Sequence, residues 1–333
     1  MRLKTALIVL CGLVGAFTLT GATRPSKPFA FITNGVADFW VIAQAGAEKA
    51  GKDLDVPVQV IMPNGITDQT RRVEDLLVRG TSGIAISPIN PENQADAINK
   101  AASRTNLITH DSDAPQTNRL VYIGMDNYKA GLMCGELVRR ALPEGGQVMI
   151  FVGRLDQDNA RRRRQGCIDA ILGRQPDPSR NDPAGTKLTS EDGKYVVLGT
   201  LTDQFDRAKA KANVEDALTR NPNIHAMVGL FEYNPPAILE ALDRQGKLGK
   251  VKVIGFDEND VTLQSIRDGY CVGTIVQNPY MYGYESIRVL NELHKGNKSI
   301  IPESKFIDIP ARVIAKDNVD EFWADLKAKT GKK

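Results

Sequence analysis

From Pro28 onward, short apolar runs alternate with longer stretches in which apolar residues recur every three or four positions. The first run, residues 28–33, predicts a buried strand, and the Ala-rich stretch 40–51 a helix. Further strands are predicted at 56–62, 83–88, 106–110 and 119–125, with a helix over 67–79 whose Val73, Leu76 and Leu77 make the inward stripe. Asn90-Pro91 offers an N-cap and a first-turn proline to another helix. The rhythm then repeats, with strands at 147–152, 195–202, 225–230, 251–256 and 272–276. Asn234-Pro235 and Asn278-Pro279 again look like helix starts. This alternation predicts an α/β fold of parallel sheets covered on both faces, the doubly wound architecture. One segment, 173–194, breaks it; rich in Pro, Asp, Ser and Gly, it is predicted to be an exposed loop rather than a domain linker.

Two of these strands end in polar groups. Val251 to Phe256 delivers Asp257, and Cys271 to Val276 delivers Gln277 just before Asn278-Pro279. Open α/β sheets bind small molecules beyond the carboxyl ends of their strands, so both side chains are candidates for one site.

The chain has 333 residues, more than one core usually organises, so two domains are expected. At 42% apolar and 25% charged, its composition is that of a folded globular protein. The amino terminus stands apart. Arg2 and Lys4 precede an apolar run over 6–19 that is short for a bilayer span, followed by Thr20-Gly21-Ala22. Residues 1–22 are therefore expected to be a secretory signal peptide, the alternative being an uncleaved anchor. Its removal takes away Arg2 and Lys4 and leaves 41 basic against 40 acidic residues, which argues against a nucleic-acid partner.

Export permits disulfides, yet 23–333 holds only Cys134, Cys167 and Cys271, read as small buried hydrophobes. His110, His225 and His294 are far apart and no metal-ligand spacing occurs, so neither a metal nor another cofactor is expected. Enzyme motifs are missing too. No strand is followed by Gly-x-Gly-x-x-Gly, and there is neither a phosphate-binding loop nor a Gly-x-Ser-x-Gly nucleophile turn. Asp111 and Asp257 would suit the acid and base of a glycosidase only at a separation that sequence does not supply. The expectation is a binding protein without catalysis.

Eight stretches follow one another along the chain: Asp38-Phe39-Trp40 after the first strand, 69–80, Ile84 to Pro88, Leu107 to Asp111, Ile123 to Asn127, 159–166, Val253 to Asp257 and Gly273 to Gln277. In this order they resemble the ribose-binding-protein-like family of periplasmic sugar-binding proteins. The resemblance spans roughly 28–315. It implies two doubly wound parallel-sheet domains joined by three hinge crossings, near Met125-Asp126, Gln277-Asn278 and Pro310-Ala311. The amino-terminal lobe would be 28–125 plus 278–310, and the other 126–277 plus 311–333.

A sugar needs aromatic surfaces for its C–H face and charged, bidentate partners for its hydroxyls. By the resemblance, Phe39 and Trp40 are the adjacent aromatic pair, with Asn34 and Asp38 in the same first loop. Asp111 and Asp257 are strand-end hydroxyl acceptors, and Gln277 is a hinge amide. Within Arg161-Arg162-Arg163-Arg164, the family's Arg-x-Arg-x-x-Gly pattern points Arg161 into the cleft and has Arg163 support the second domain. Arg162 and Arg164 are expected on a solvated helix face. Phe205 is a further cleft aromatic. Where ribose binders carry an Arg after the Asp, this chain has Ser112 and then Asp113, a pattern that also resembles rhamnose and autoinducer-2 binders. Where an Asn is expected after 225–230 it has Phe231-Glu232-Tyr233-Asn234, which makes Phe231 and Glu232 candidates as well.

The implied function is an exported, monomeric solute-binding protein of the periplasm. It would capture a monosaccharide and pass it to a membrane ABC permease with its ATPase, or present it to a membrane receptor. A regulator like the lac repressor shares the fold but needs a helix-turn-helix where this chain has its leader.

Overall fold

The computed structural model describes residues 27–330; the expected leader, 1–22, lies outside them. The first sheet is built from β1 (Phe29–Ile32), β2 (Val58–Ile61), β3 (Gly83–Ile86), β4 (Leu107–His110) and β5 (Tyr122–Gly124), interleaved with α1 (Asp38–Leu54), α2 (Ile66–Arg79) and α3 (Ala95–Ala102). The second half begins with α4 (Asn127–Ala141), β6 (Gly146–Val152) and α5 (Asp158–Leu172). It continues through β7 (Leu188–Thr189), β8 (Tyr195–Thr202), α6 (Arg207–Arg220), β9 (Ala226–Gly229), α7 (Asn234–Arg244), β10 (Lys252–Phe256), α8 (Asp260–Asp268) and β11 (Cys271–Val276). The chain closes with α9 (Pro279–His294), β12 (Phe306–Asp308), β13 (Arg312–Ile314) and α10 (Val319–Thr330).

One sheet runs β12-β5-β4-β3-β1-β2, the other β13-β11-β10-β9-β6-β8-β7. The first is parallel throughout, while β13 and β7 join the second antiparallel at its two edges. Setting β7 aside, both sheets are wound in the same order, so β4 of one corresponds to β10 of the other. The chain passes between the sheets after β5, after β11 and between β12 and β13, all at the matching edge of each sheet. Each sheet with its helices is called a lobe below.

Helices cover both faces because the strands are apolar on both sides: every residue of β1, β3, β4 and β9 is buried. The tightest packing is between helices. A Cβ built on Gly283 of α9 would lie 1.9 Å from the Ala43 carbonyl oxygen of α1, and one on Gly166 of α5 would lie 2.1 Å from the Tyr128 oxygen of α4. Only glycine allows the backbones so close. These contacts fix α1 and α5, whose first turns face the space between the lobes.

Three local expectations change. Asn90 accepts from the Asn93 N–H at 2.9 Å, as an N-cap would, but 91–94 form a turn and α3 begins at Ala95. Asn234 lies inside α7 and does not cap it; its amide donates to Asp203 at 2.9 Å and accepts from the Phe231 N–H at 3.0 Å. Arg164, expected on a solvated face, is 1% exposed. It donates to Thr200 Oγ1 and to the carbonyls of Asp182 and Pro183, because the 173–194 segment folds back over α5. Asp169, on the same helix, pairs with Arg180 at 2.6 Å, so that segment is tied down although much of its surface is exposed. Among the described residues no helix is long and apolar enough to cross a membrane.

Candidate ligand-binding cleft

The carboxyl ends of both sheets point at one cavity of about 450 Å³. Asp111 follows β4 and Asp257 follows β10, at corresponding places in the two lobes. Each leaves its strand through a left-handed turn, φ 59° and 63°, a conformation Asp tolerates better than most residues. Each is pinned to the neighbouring strand in the same way, by a backbone N–H donated to Ile123 (3.1 Å) or Ile275 (2.7 Å). The two carboxylates thus reach the cavity from opposite walls.

Asp111 is 3% exposed, and its Oδ2 accepts from Ser87 Oγ at 2.9 Å and from the Asn34 and Asn159 amides at 3.2 Å each. Its Oδ1 has no protein partner among the described residues. Asn159 opens α5 in the other lobe, so this last bond joins the lobes directly. Asp257 accepts from Gln277 at 2.8 Å, and the Gln277 amide is oriented by the Tyr282 hydroxyl, which donates to its oxygen at 3.1 Å. Its Oδ2 lies 3.9 Å from the Arg163 guanidinium. Burial pushes both carboxyls up to about 6, with Arg163 and the hydrogen-bond donors pulling the other way.

Arg163 is itself 1% exposed. It donates to the Leu230 carbonyl at 2.8 Å and to Asn127 Oδ1 at 3.0 and 3.3 Å, with its guanidinium 4.0 Å over the Phe256 ring. A guanidinium has five N–H donors, so groups remain to face the cavity it lines.

The apolar surface comes from both lobes. Phe39 and Trp40 open α1 on one side, the indole held by donation to Asn34 at 3.1 Å. Phe205 and Phe231 stack with ring centroids 5.7 Å apart on the other. Phe205 is 39% exposed and, with Gln204, sits in a left-handed turn. That turn is held by Asp203, which accepts from the Phe205 N–H and the Tyr233 hydroxyl.

Nine of the twelve expected residues line this cavity: Asn34, Phe39, Trp40, Asp111, Phe205, Phe231, Glu232, Asp257 and Gln277. Three do not. Asp38 is exposed and faces a separate smaller hollow with Ile42 and Glu258, because the first turn of α1 directs it away from Trp40. Asp113 is consumed within its own lobe by Arg119, at 2.6 and 2.8 Å, and by the Thr109 hydroxyl at 2.6 Å. Arg161 turns outward to Asp158 at 2.9 Å. Arg163, expected only to support the second lobe, lines the cavity in place of Arg161, since it stands four residues after Asn159 on one helix face whereas Arg161 is two residues away and points elsewhere.

Gln157 went unnoticed in the sequence. It is fully buried, lines the cavity, and neither its amide oxygen nor its nitrogen has a partner. A buried, unpaired amide costs free energy that a bound polar molecule recovers. Glu232 is similar: one oxygen accepts from Asn259, the other is free, and burial raises its pKa. The only sequence signal for Gln157 is its place just before α5. Arg154 and Arg207 complete the polar wall. Among the described residues no group of His, Cys, Asp and Glu is placed to hold a metal ion.

A charged acceptor from each lobe, a guanidinium, free amides and aromatic faces suit a molecule with hydroxyls around its edge and apolar faces. Comparison with known proteins gives the same picture. A family model described as periplasmic binding protein domain matches residues 29–298. The ribose import binding protein of Salmonella typhimurium is 26% identical over 262 residues, spanning 78% of this chain and 82% of that one. The D-allose-binding periplasmic protein of Escherichia coli is 24% identical over 312 residues, 89% of this chain and 94% of its own. Among solved structures, an ABC transporter solute-binding protein from Burkholderia graminis in complex with D-arabinose superposes with a TM-score of 0.78. Its identity is 26%, and the match covers 89% of this chain and 98% of that one.

Proposed function

The chain belongs to the periplasmic binding protein domain family, and from that premise we propose that it captures a monosaccharide between its lobes and delivers it to an ABC importer. The observation that carries the reading is the pair Asp111 and Asp257, equivalent in the two lobes and turned onto one cavity. A ligand that donates hydroxyls to both stabilises the closed arrangement over any open one, because only closure supplies both acceptors. The aromatic pairs then cover its faces, and Arg163, Gln157 and Gln277 take its remaining polar groups.

In this reading the protein binds and releases without turnover, as a monomer exported by residues 1–22, and the energy for transport comes from the partner ATPase. The ribose, allose and arabinose named for its relatives define the first ligands to try. Calorimetric titration with D-ribose, D-allose, D-arabinose and a set of amino acids tests it. Tight binding of at least one aldose with no response to amino acids is expected; binding of amino acids alone sinks the proposal. No observation on this chain favours presentation to a receptor over delivery to an importer.

A further inference from the structure

Besides the bond from Asn159 to Asp111, the lobes are joined at a second point, outside the cavity. Asn90, in the turn after β3 of the first lobe, donates from Nδ2 to Asp156 Oδ2 in the second lobe at 3.2 Å. Neither residue lines the cavity. Both are set within their own lobe before they meet. The Asn90 side-chain oxygen accepts from the Asn93 N–H at 2.9 Å and its backbone N–H donates to Gln94 at 2.9 Å, which leaves the amide nitrogen facing out. Asp156 is gripped by Arg154, whose Nε donates to Oδ1 at 2.9 Å and whose Nη2 donates to Oδ2. Arg154 does line the cavity, and its Nη1 donates to no acceptor among the described residues. Preorganised partners lose little side-chain freedom on meeting, so the cross-lobe bond keeps more of its worth than a contact between two mobile side chains.

We propose that Asn90, Asp156 and Arg154 form an interlobe latch: Asp156 holds Arg154 toward the ligand, and Asn90 secures Asp156 when the lobes close. Asn90 and Asp156 are positioning residues that act through Arg154 and through the closed state. The ligand half of this inference rests on the sugar reading above; the closure half does not.

The consequence is kinetic. The latch stabilises the closed arrangement with or without ligand, whereas capture proceeds from the open one, so losing it speeds release and changes capture little. Two measurements test it on the full mature chain. Spin labels on Lys100→Cys and Lys252→Cys, exposed sites in the two lobes, report the interlobe distance. Without sugar, the parent is expected to show a closed-distance population that Asn90→Ala depletes. With D-ribose, D-allose or D-arabinose, whichever binds, Asn90→Ala is expected to raise the off-rate about three- to tenfold, the size of one partly solvated hydrogen bond to a carboxylate, with the on-rate within about twofold. Asn90→Asp, which sets a second carboxylate against Asp156, is expected to exceed Asn90→Ala in both readouts. In an Asp156→Ala background, Asn90→Ala is expected to add nothing. Unchanged distances and off-rate in Asn90→Ala, with the fold intact by thermal unfolding, overturn the latch. If none of the sugars binds, the sugar reading fails by itself, and the sugar-free distance distribution still decides whether the latch exists.

Discussion

Replacing Asp257 by Asn separates binding from folding at the same residue. In the folded protein burial pushes the carboxyl from 3.8 up to about 6. At about 1.4 kcal/mol per unit, the ionised carboxylate costs the ligand-free fold on the order of 3 kcal/mol at neutral pH, even with Arg163 beside it. Asparagine keeps the volume and leaves an oxygen for Gln277, while removing that charge. Arg163 keeps its bonds to Leu230 and Asn127 and its place over Phe256. The variant is therefore expected to unfold at the same temperature or higher. A sugar hydroxyl, however, loses a charged acceptor worth about 1.5–3 kcal/mol, so affinity is expected to fall roughly 10- to 150-fold. Paired calorimetric titrations and thermal melts give both numbers. Unchanged affinity would remove Asp257 from the site, and a large drop in melting temperature would show that its charge holds the fold together instead of being tolerated for a ligand.

Three further outcomes are expected. Acidification should act oppositely on binding and on stability. The hydroxyls need ionised Asp111 and Asp257, so affinity is expected to drop about tenfold per carboxylate for each pH unit below about 6. Because both folded values are raised above 3.8, the ligand-free fold gains stability from these groups as pH falls from about 6 towards 3.8; titrations and denaturant melts from pH 7.5 to 4.5 check both signs. Arg161→Ala is expected to leave sugar affinity within about twofold, whereas Arg163→Met strips a buried carboxylate of its counter-ion and should cost about 3 kcal/mol of stability as well as most of the affinity, read by the same two assays. Gly283→Ala forces α1 and α9 apart against the Ala43 carbonyl and is expected to cost about 1–3 kcal/mol in chemical denaturation, with the spectrum of the native protein retained.

The alternation of strands and helices was legible because each buried strand is a short apolar run, and most strand edges fall within two or three residues of the apolar run. Asp111, Asp257 and Gln277 could be read for the same reason: a polar residue closing an apolar strand marks the carboxyl edge of the sheet. The elements missed were those with little pattern of their own, such as β12 and β13, three residues each, whose place is set by pairing with β5 and β11. Within the arginine run, local sequence does contain the answer, since helical spacing from Asn159 selects Arg163, but a motif spacing carried over by resemblance selected Arg161. The burial of Arg164 was not legible at all, because it depends on a distant loop returning across α5. Asp113 was misjudged through its nearness to Asp111: two residues along a turn separate a cavity-facing carboxylate from one neutralised by Arg119. Gln157 sits in no periodic pattern, and what identifies it is a side-chain amide buried without a hydrogen-bond partner.

The most direct test is a crystal structure of residues 23–333 saturated with the aldose that binds best. One sugar is expected in the cavity, with hydroxyls within hydrogen-bond distance of both Asp111 and Asp257 and its ring against an aromatic face. A sugar held by one lobe alone, or bound elsewhere while both carboxylates stay free, would contradict it.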